Sequence, residues 1–324
     1  MTQPIERVPT SEQLRIPVTN PVTGAVIGYV PESDEAAVMT AVERARQAQM
    51  DWAARTIRER ARLLRQWADL IWQRRTDVID IIRQETGKPE SSALQEIMGV
   101  DHVTSYYAHR APRWLRSQSR NALIPVLHRA HEIYKPHGVV GFITPWNYPY
   151  LLLFLDLVPA LIAGNTAVIK PSEVAPFTAE LGVQLMREVG IPADVVQTVH
   201  GQGTTGAALV GQVDFVAFTG STATGRKVAQ RAAERLIPYS MELGGKDPAI
   251  VLADADLDIA ASELLRAAFE NAGQACLSIE RAYVVEPIYD RLLERLQHHA
   301  KKLVMSGEAG MDVHVGSLTN EREL

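Results

Sequence analysis

Gly138-Val139-Val140-Gly141-Phe142-Ile143-Thr144 is an apolar run, rich in β-branched residues and the length of one buried strand. The pattern downstream of it decides the fold. Apolar residues then recur at helical spacing over 148–163, and a short strand pattern returns at 167–170. The alternation continues as helix 175–189, strand 195–199, helix 203–211, strand 215–219 and helix 225–233. Short apolar strands alternating with helices predict an α/β fold, a parallel sheet with helices on both faces. Upstream, Asn20-Pro21-Val22-Thr23-Gly24 marks a turn ahead of a strand at 26–30. Helical periodicity covers 34–54, 56–84 and 90–107, fading by Pro112. Two extended runs, 122–127 and 131–135, have the form of a protruding hairpin.

The bulk composition of the 324 residues is that of a globular protein large enough for two domains, 46% hydrophobic and 22% charged. A net charge of −5 gives no electrostatic footprint for nucleic acid. Residues 1–17 are polar and carry no apolar h-region, and the most apolar window, 151–164, is interrupted by Asp156 and Pro159. No membrane segment is expected. A single cysteine, Cys276, cannot form an internal disulfide and suits a reducing compartment, so a cytoplasmic location is expected. His128, His131 and His137 lack metal-ligand spacing, and no metal site is expected.

Six segments carry chemistry. Cys276 stands in Asn271-Ala272-Gly273-Gln274-Ala275-Cys276, just beyond a helix that Asp256 can cap and Gly273 can end. By residue type a lone cysteine is most often a small core hydrophobe, and its rival reading is a nucleophile. Pro145-Trp146-Asn147-Tyr148-Pro149 holds an asparagine between two prolines. Its amide is a neutral donor suited to an oxyanion, or simply a helix N-cap. Met241-Glu242-Leu243-Gly244-Gly245-Lys246 sets one carboxylate among apolar and glycine residues. Desolvation there would raise its pKa toward that of a general base. Lys170-Pro171-Ser172-Glu173 sits at a strand end and suits the hydroxyls of a ribose. Two glycine loops, Gly201-Gln202-Gly203-Thr204-Thr205-Gly206 and Gly220-Ser221-Thr222-Ala223-Thr224-Gly225, each join a strand to a helix, where free N–H groups receive phosphate.

Five of these stretches in chain order, Pro145–Pro149, Lys170–Glu173, Phe218–Gly225, Glu242–Lys246 and Asn271–Cys276, resemble the aldehyde dehydrogenase superfamily, and the resemblance runs from about Val18 to the end of the chain. The resemblance implies a Rossmann-like dinucleotide domain at 1–115 and 136–243, an oligomerisation arm at 116–135, and the N-terminal part of a second α/β catalytic domain at 244–324. It implies Cys276 as nucleophile, Asn147 as oxyanion donor and Glu242 as base for the hydrolytic branch. For the cofactor it implies Lys170 and Glu173 at the ribose, Gly203 and Gly206 beside the adenine, Trp146 and Ser221 with the loop glycines Gly220 and Gly225 at the pyrophosphate, and Leu243 against the nicotinamide. A carboxylate at Glu173 repels a 2′-phosphate, so NAD is expected ahead of NADP.

The implied substrate is a small aldehyde. Ser278-Ile279-Glu280-Arg281 is similar to some bacterial succinate-semialdehyde dehydrogenases, and the implied assembly is a homodimer or tetramer. The family's Glu-x-Phe-Gly-Pro segment does not occur before Leu324, so a C-terminally truncated family member is expected. Intact Cys276, Glu242 and Asn147 favour an enzyme. The other reading is a catalytically silent binding or assembly protein.

Overall fold

The computed structural model describes residues 15–124, 127–308 and 310–323. Most of the polar leader lies outside them. β1 (Arg15–Thr19) and β2 (Val26–Pro31) pair antiparallel across a turn in which Asn20 Oδ1 accepts from the Val22 and Thr23 N–H groups. Four helices come next: α1 (Glu35–Ala54), α2 (Ile57–Gln73), α3 (Arg75–Thr86) and α4 (Glu90–Trp114). The single helix expected over 56–84 is therefore two, broken at Arg74, whose guanidinium bonds Asp77 in the first turn of α3. The expected helix at 90–107 runs on to Trp114 and carries Pro112 inside it.

β3 (Gln118–Arg120) and β4 (Ala130–Glu132) form the hairpin, with Ser119 opposite His131. Its strands lie outside the two expected extended runs except at His131 and Glu132. Pro125 and Val126 of the first run lie outside the described residues, and Leu123, Ile124 and Leu127 of that run are exposed in the connecting loop.

The main sheet comprises β5 (Val139–Ile143), β6 (Thr166–Lys170), β7 (Val196–Thr198), β8 (Phe215–Thr219) and β9 (Tyr239–Glu242). Their order is β7-β6-β5-β8-β9 and every pairing is parallel. The helices between them are α5 (Leu151–Ile162), α6 (Pro176–Glu188), α7 (Gly203–Val210) and α8 (Thr222–Glu234). Helices α2 to α6 bury one face of the sheet around Trp67, Phe142, Phe154 and Leu157. Helices α1, α7 and α8 bury the other around Val38, Val168, Leu209 and Val216. The near-continuous apolar strands result from this two-sided burial. Packing is close enough that a Cβ at Gly182 would collide with the Phe154 ring, while Trp67 Nε1 donates to the Gly182 carbonyl at 3.0 Å.

Helix α5 begins at Leu151 and not at 148, because its first amides are capped from another helix. Glu96 on α4 accepts from the Tyr150 and Leu151 N–H groups, both at 3.0 Å. Helix α6 is treated likewise: buried Glu85 on α3 accepts from the Phe177 and Thr178 N–H groups at 2.6 and 2.8 Å. Burial pushes the Glu85 carboxyl up to about 8, opposed by these donors.

Beyond β9 the chain leaves the main sheet. β10 (Asp247–Val251) and β11 (Ile279–Val284) form a separate parallel pair with α9 (Leu257–Phe269) and α10 (Tyr289–Ala300). A small core of Val251, Ala261, Ile288 and Leu292 holds them. Among the described residues no helix is long and apolar enough to cross a membrane.

Candidate active site

A parallel sheet collects its strand-to-helix loops at the carboxyl ends of the strands. Here the chain runs from central β5 outward through β6 and β7, then returns to add β8 and β9 on the other side. That reversal falls between the loops after β5 and β8, the place where open α/β sheets take ligands.

The loop after β5 carries Trp146 and Asn147, both half-buried. The Asn147 amide donates from Nδ2 to the Gln274 carbonyl at 2.9 Å. The Asn147 carbonyl accepts from Asn271 Nδ2 at 3.0 Å and from Lys88 Nζ at 2.7 Å. The segment around Asn147 is thus bonded directly to the cysteine loop.

That loop is more than a helix ended by a glycine, the form its sequence suggests. Helix α9, capped by Asp256 as expected, ends at Phe269, and a 3-10 turn, Glu270–Gly273, comes after it. Asn271, Ala272 and Gly273 all have left-handed backbones, at φ 51°, 57° and 79°. Asparagine and glycine tolerate this, whereas Ala272 stores about 1 kcal/mol of strain or more. Asn271 Nδ2 also donates to the Gln274 carbonyl, Gln274 Nε2 donates to the Asn271 carbonyl, and Ser278 Oγ donates back toward α9 at the Ala267 and Ala268 carbonyls. This bracing presents Cys276 as an exposed free thiol. An exposed thiol is not a core hydrophobe, so the structural reading of Cys276 falls.

Glu242 ends β9, and its carbonyl accepts from the Gly220 N–H at 3.0 Å. The glycines after it reach the cysteine loop, where a Cβ on Gly245 would stand 3.4 Å from the Cys276 carbonyl. The expectation of a desolvated Glu242 is corrected: its side chain is exposed, since the glycines beside it bring no bulk to cover it. Asp156, the one charged residue of apolar α5, is pushed up to about 6 by burial and by the negative charge of Glu242.

Ionised Asp156 therefore weakens the fold. This penalty is absent well below pH 4, grows as pH rises between the unfolded and folded pKa values, and is complete above about pH 7. Asp156→Asn is expected to stabilise the chain by about 1–2 kcal/mol at pH 8, allowing for partial exposure, and by less at pH 5. Urea midpoints at the two pH values check this, and an equal gain at both contradicts it.

The remaining predicted residues line the same edge. Lys170 closes β6, and its buried ammonium donates to the Glu173 carboxylate at 3.3 Å. Burial pushes the Lys170 pKa down and Glu173 opposes that shift. Gly206 packs toward the Lys170 stem, and a Cβ on Gly203 would meet only open space. Ser221 caps α8 by accepting from the Thr224 N–H at 3.2 Å, after Gly220. Gly225 lies under the Leu243 side chain, too close to admit a Cβ. Two helix N-termini, a buried cation and bare glycine surface suit the phosphates and ribose of a dinucleotide. Among the described residues no group of three or more His, Cys, Asp or Glu side chains is placed to hold a metal.

Sequence reasoning passed over the residues beneath the loop after β5. Lys88 and Glu96 form an ion pair with both side chains fully buried, and the Tyr148 ring lies 4.1 Å from Lys88 Nζ. Gly87-Lys88-Pro89 has the pattern of a plain helix end, yet a lysine there with a glutamate eight residues later on the next helix was the available signal.

The aldehyde dehydrogenase family model matches residues 8–324. The chain belongs to the aldehyde dehydrogenase family. A protein of Mycolicibacterium smegmatis named putative succinate-semialdehyde dehydrogenase (NADP(+)) is 38% identical over 309 residues, 95% of this chain and 60% of the relative. The 4,4′-diapolycopene aldehyde oxidase of Methylomonas sp is also 38% identical, over 95% of this chain and 59% of its own length. The crystal structure of lactaldehyde dehydrogenase from Escherichia coli superposes with a TM-score of 0.92 at 34% identity, covering 96% of this chain and 66% of that one. This aldehyde dehydrogenase chain thus spans about three fifths of the length of its curated relatives.

Proposed function

We propose that the protein oxidises a small aldehyde to a carboxylic acid with a nicotinamide dinucleotide as hydride acceptor. The observation that supports this reading is the bonded junction of the two loops: the Asn147 amide is hydrogen-bonded to the loop that carries the exposed Cys276 thiol. Cys276 attacks the aldehyde carbon as thiolate. Asn147 Nδ2 has one hydrogen on Gln274 and offers the other to the thiohemiacetal oxyanion, with the Cys276 N–H as second donor. A bound nicotinamide supplies the hydride sink. Glu242 draws the proton from the water that hydrolyses the resulting thioester.

For the dinucleotide, Lys170, Glu173, Gly203 and Gly206 hold the adenosine end, Trp146, Gly220, Ser221 and Gly225 the pyrophosphate, and Leu243 the nicotinamide. The Glu173 argument for NAD is weakened by two facts. Its carboxylate is tethered to the Lys170 ammonium, and the mycobacterial relatives carry NADP(+) in their names. We infer that NADP is accepted alongside NAD. Glu173→Gln is expected to change kcat/KM for NADP less than about threefold; a rise of tenfold or more restores Glu173 as the group that excludes the 2′-phosphate. Succinate semialdehyde is the first aldehyde to assay, on the relatives' names and the Ser278–Arg281 similarity. Formation of reduced nicotinamide from an aldehyde panel tests the reading as a whole, and no turnover with any aldehyde and either dinucleotide would count against it. The hairpin as an oligomerisation arm, a homodimer or tetramer, and a cytoplasmic setting complete the proposal.

A further inference from the structure

We propose that Lys88 is a positioning residue for the acylation of Cys276: paired with Glu96, its ammonium pins the Asn147 carbonyl and so fixes the direction of the Asn147 amide. The inference rests on the reading of Asn147 as oxyanion donor.

Two acceptors and one aromatic ring surround the ammonium of this lysine. Its ammonium gives one hydrogen bond to Glu96 and one to the Asn147 carbonyl at 2.7 Å, and the Tyr148 ring covers it at 4.1 Å. The second oxygen of Glu96 takes the Tyr150 and Leu151 amides. The ion pair therefore grips the loop after β5 on both sides of Pro149. The Asn147 carbonyl has two lone pairs, and Lys88 and Asn271 fill them from opposite segments of the chain. With the carbonyl fixed and one amide hydrogen on Gln274, the free amide hydrogen keeps a single direction.

Stability alone does not account for such a pair. Two charges buried together commonly contribute no more than apolar residues of the same volume. What apolar residues cannot supply is the donor to Asn147 and the acceptor for Tyr150 and Leu151. Misplacement of a reacting group by about 1 Å costs on the order of 10²-fold in rate.

The test uses 4-nitrophenyl acetate, which needs neither dinucleotide nor Glu242. The Cys276 thiolate adds to the ester carbonyl carbon, forming the C–S bond and placing an electron pair on oxygen. That pair returns as the C–O bond breaks and 4-nitrophenolate leaves, so the chain gains one acetyl group. The nitrophenolate burst and the intact mass of the 324-residue chain report the rate and the site. Asn147→Ala is expected to slow acylation about 10²-fold. The double variants Lys88→Met with Glu96→Leu, and Lys88→Gln with Glu96→Gln, are expected to slow it about tenfold or more while keeping a cooperative melting transition. Either double variant, folded and acylated at the parent rate, overturns the proposal, and the second serves if the first does not fold. Acylation of Asn147→Ala at the parent rate, or a parent chain without acetyl on Cys276, removes the oxyanion reading itself and the proposal with it.

Discussion

Cys276→Ala is expected to abolish aldehyde oxidation, a loss on the order of 10⁴-fold or more, as when an enzyme nucleophile is removed. Nothing else in the chain can take its place, because it holds the only thiol among 324 residues. Binding of the dinucleotide, measured by fluorescence titration, is expected to stay within about twofold of the parent, since the proposed nucleotide residues stand at or just after the carboxyl ends of β5, β6, β8 and β9 and on α7 and α8, and none stands on the cysteine loop. The fold should be equally indifferent: an exposed side chain forms no part of any core, and its loss costs within about 0.5 kcal/mol. Residual oxidation above a hundredth of the parent rate would exclude Cys276 as the nucleophile. A large loss of dinucleotide affinity would mean that the loop braces the nucleotide edge as well.

The second large effect is on stability. Lys88→Met alone leaves Glu96 buried without its counterion. Removing one partner of a buried pair typically costs about 3–5 kcal/mol. The variant is thus expected to lose about 3–5 kcal/mol at pH 7. Adding Glu96→Leu to Lys88→Met is expected to restore most of it, because the stranded charge is gone. Denaturant midpoints of the single and double variants at pH 7 decide the matter. A double variant no more stable than the single one would show that the capping of Tyr150 and Leu151, and not the charge, is what Glu96 contributes.

Much of the fold could be read from local pattern. The strands at 139–143, 166–170 and 215–219 are short, apolar and buried on both faces, so alternation with helices sufficed to place them. What escaped local reading was set by distant side chains. The starts of α5 and α6 are fixed by Glu96 and Glu85, dozens of residues upstream, and no spacing rule near 148–151 or 175–178 carries that information. The exposure of Glu242 is similar: its glycine neighbours suggested an apolar niche, yet glycines bring no surface to cover a carboxylate. The candidate site was legible as residue types because asparagine between prolines and cysteine after Asn-Ala-Gly are uncommon settings. The left-handed triplet at Asn271, Ala272 and Gly273 was not, since alanine gives no hint of a positive φ.

The doubly bonded carbonyl of Asn147 also has a meaning in time. Its two donors lie 59 residues before it and 124 residues after it in the chain. As the ribosome delivers the polypeptide from its N-terminus, Lys88, Glu96 and the loop after β5 emerge well ahead of Asn271 and Cys276. Among Asn147, Glu242 and Cys276, the thiol and the strained Ala272 loop that carries it are therefore synthesised last.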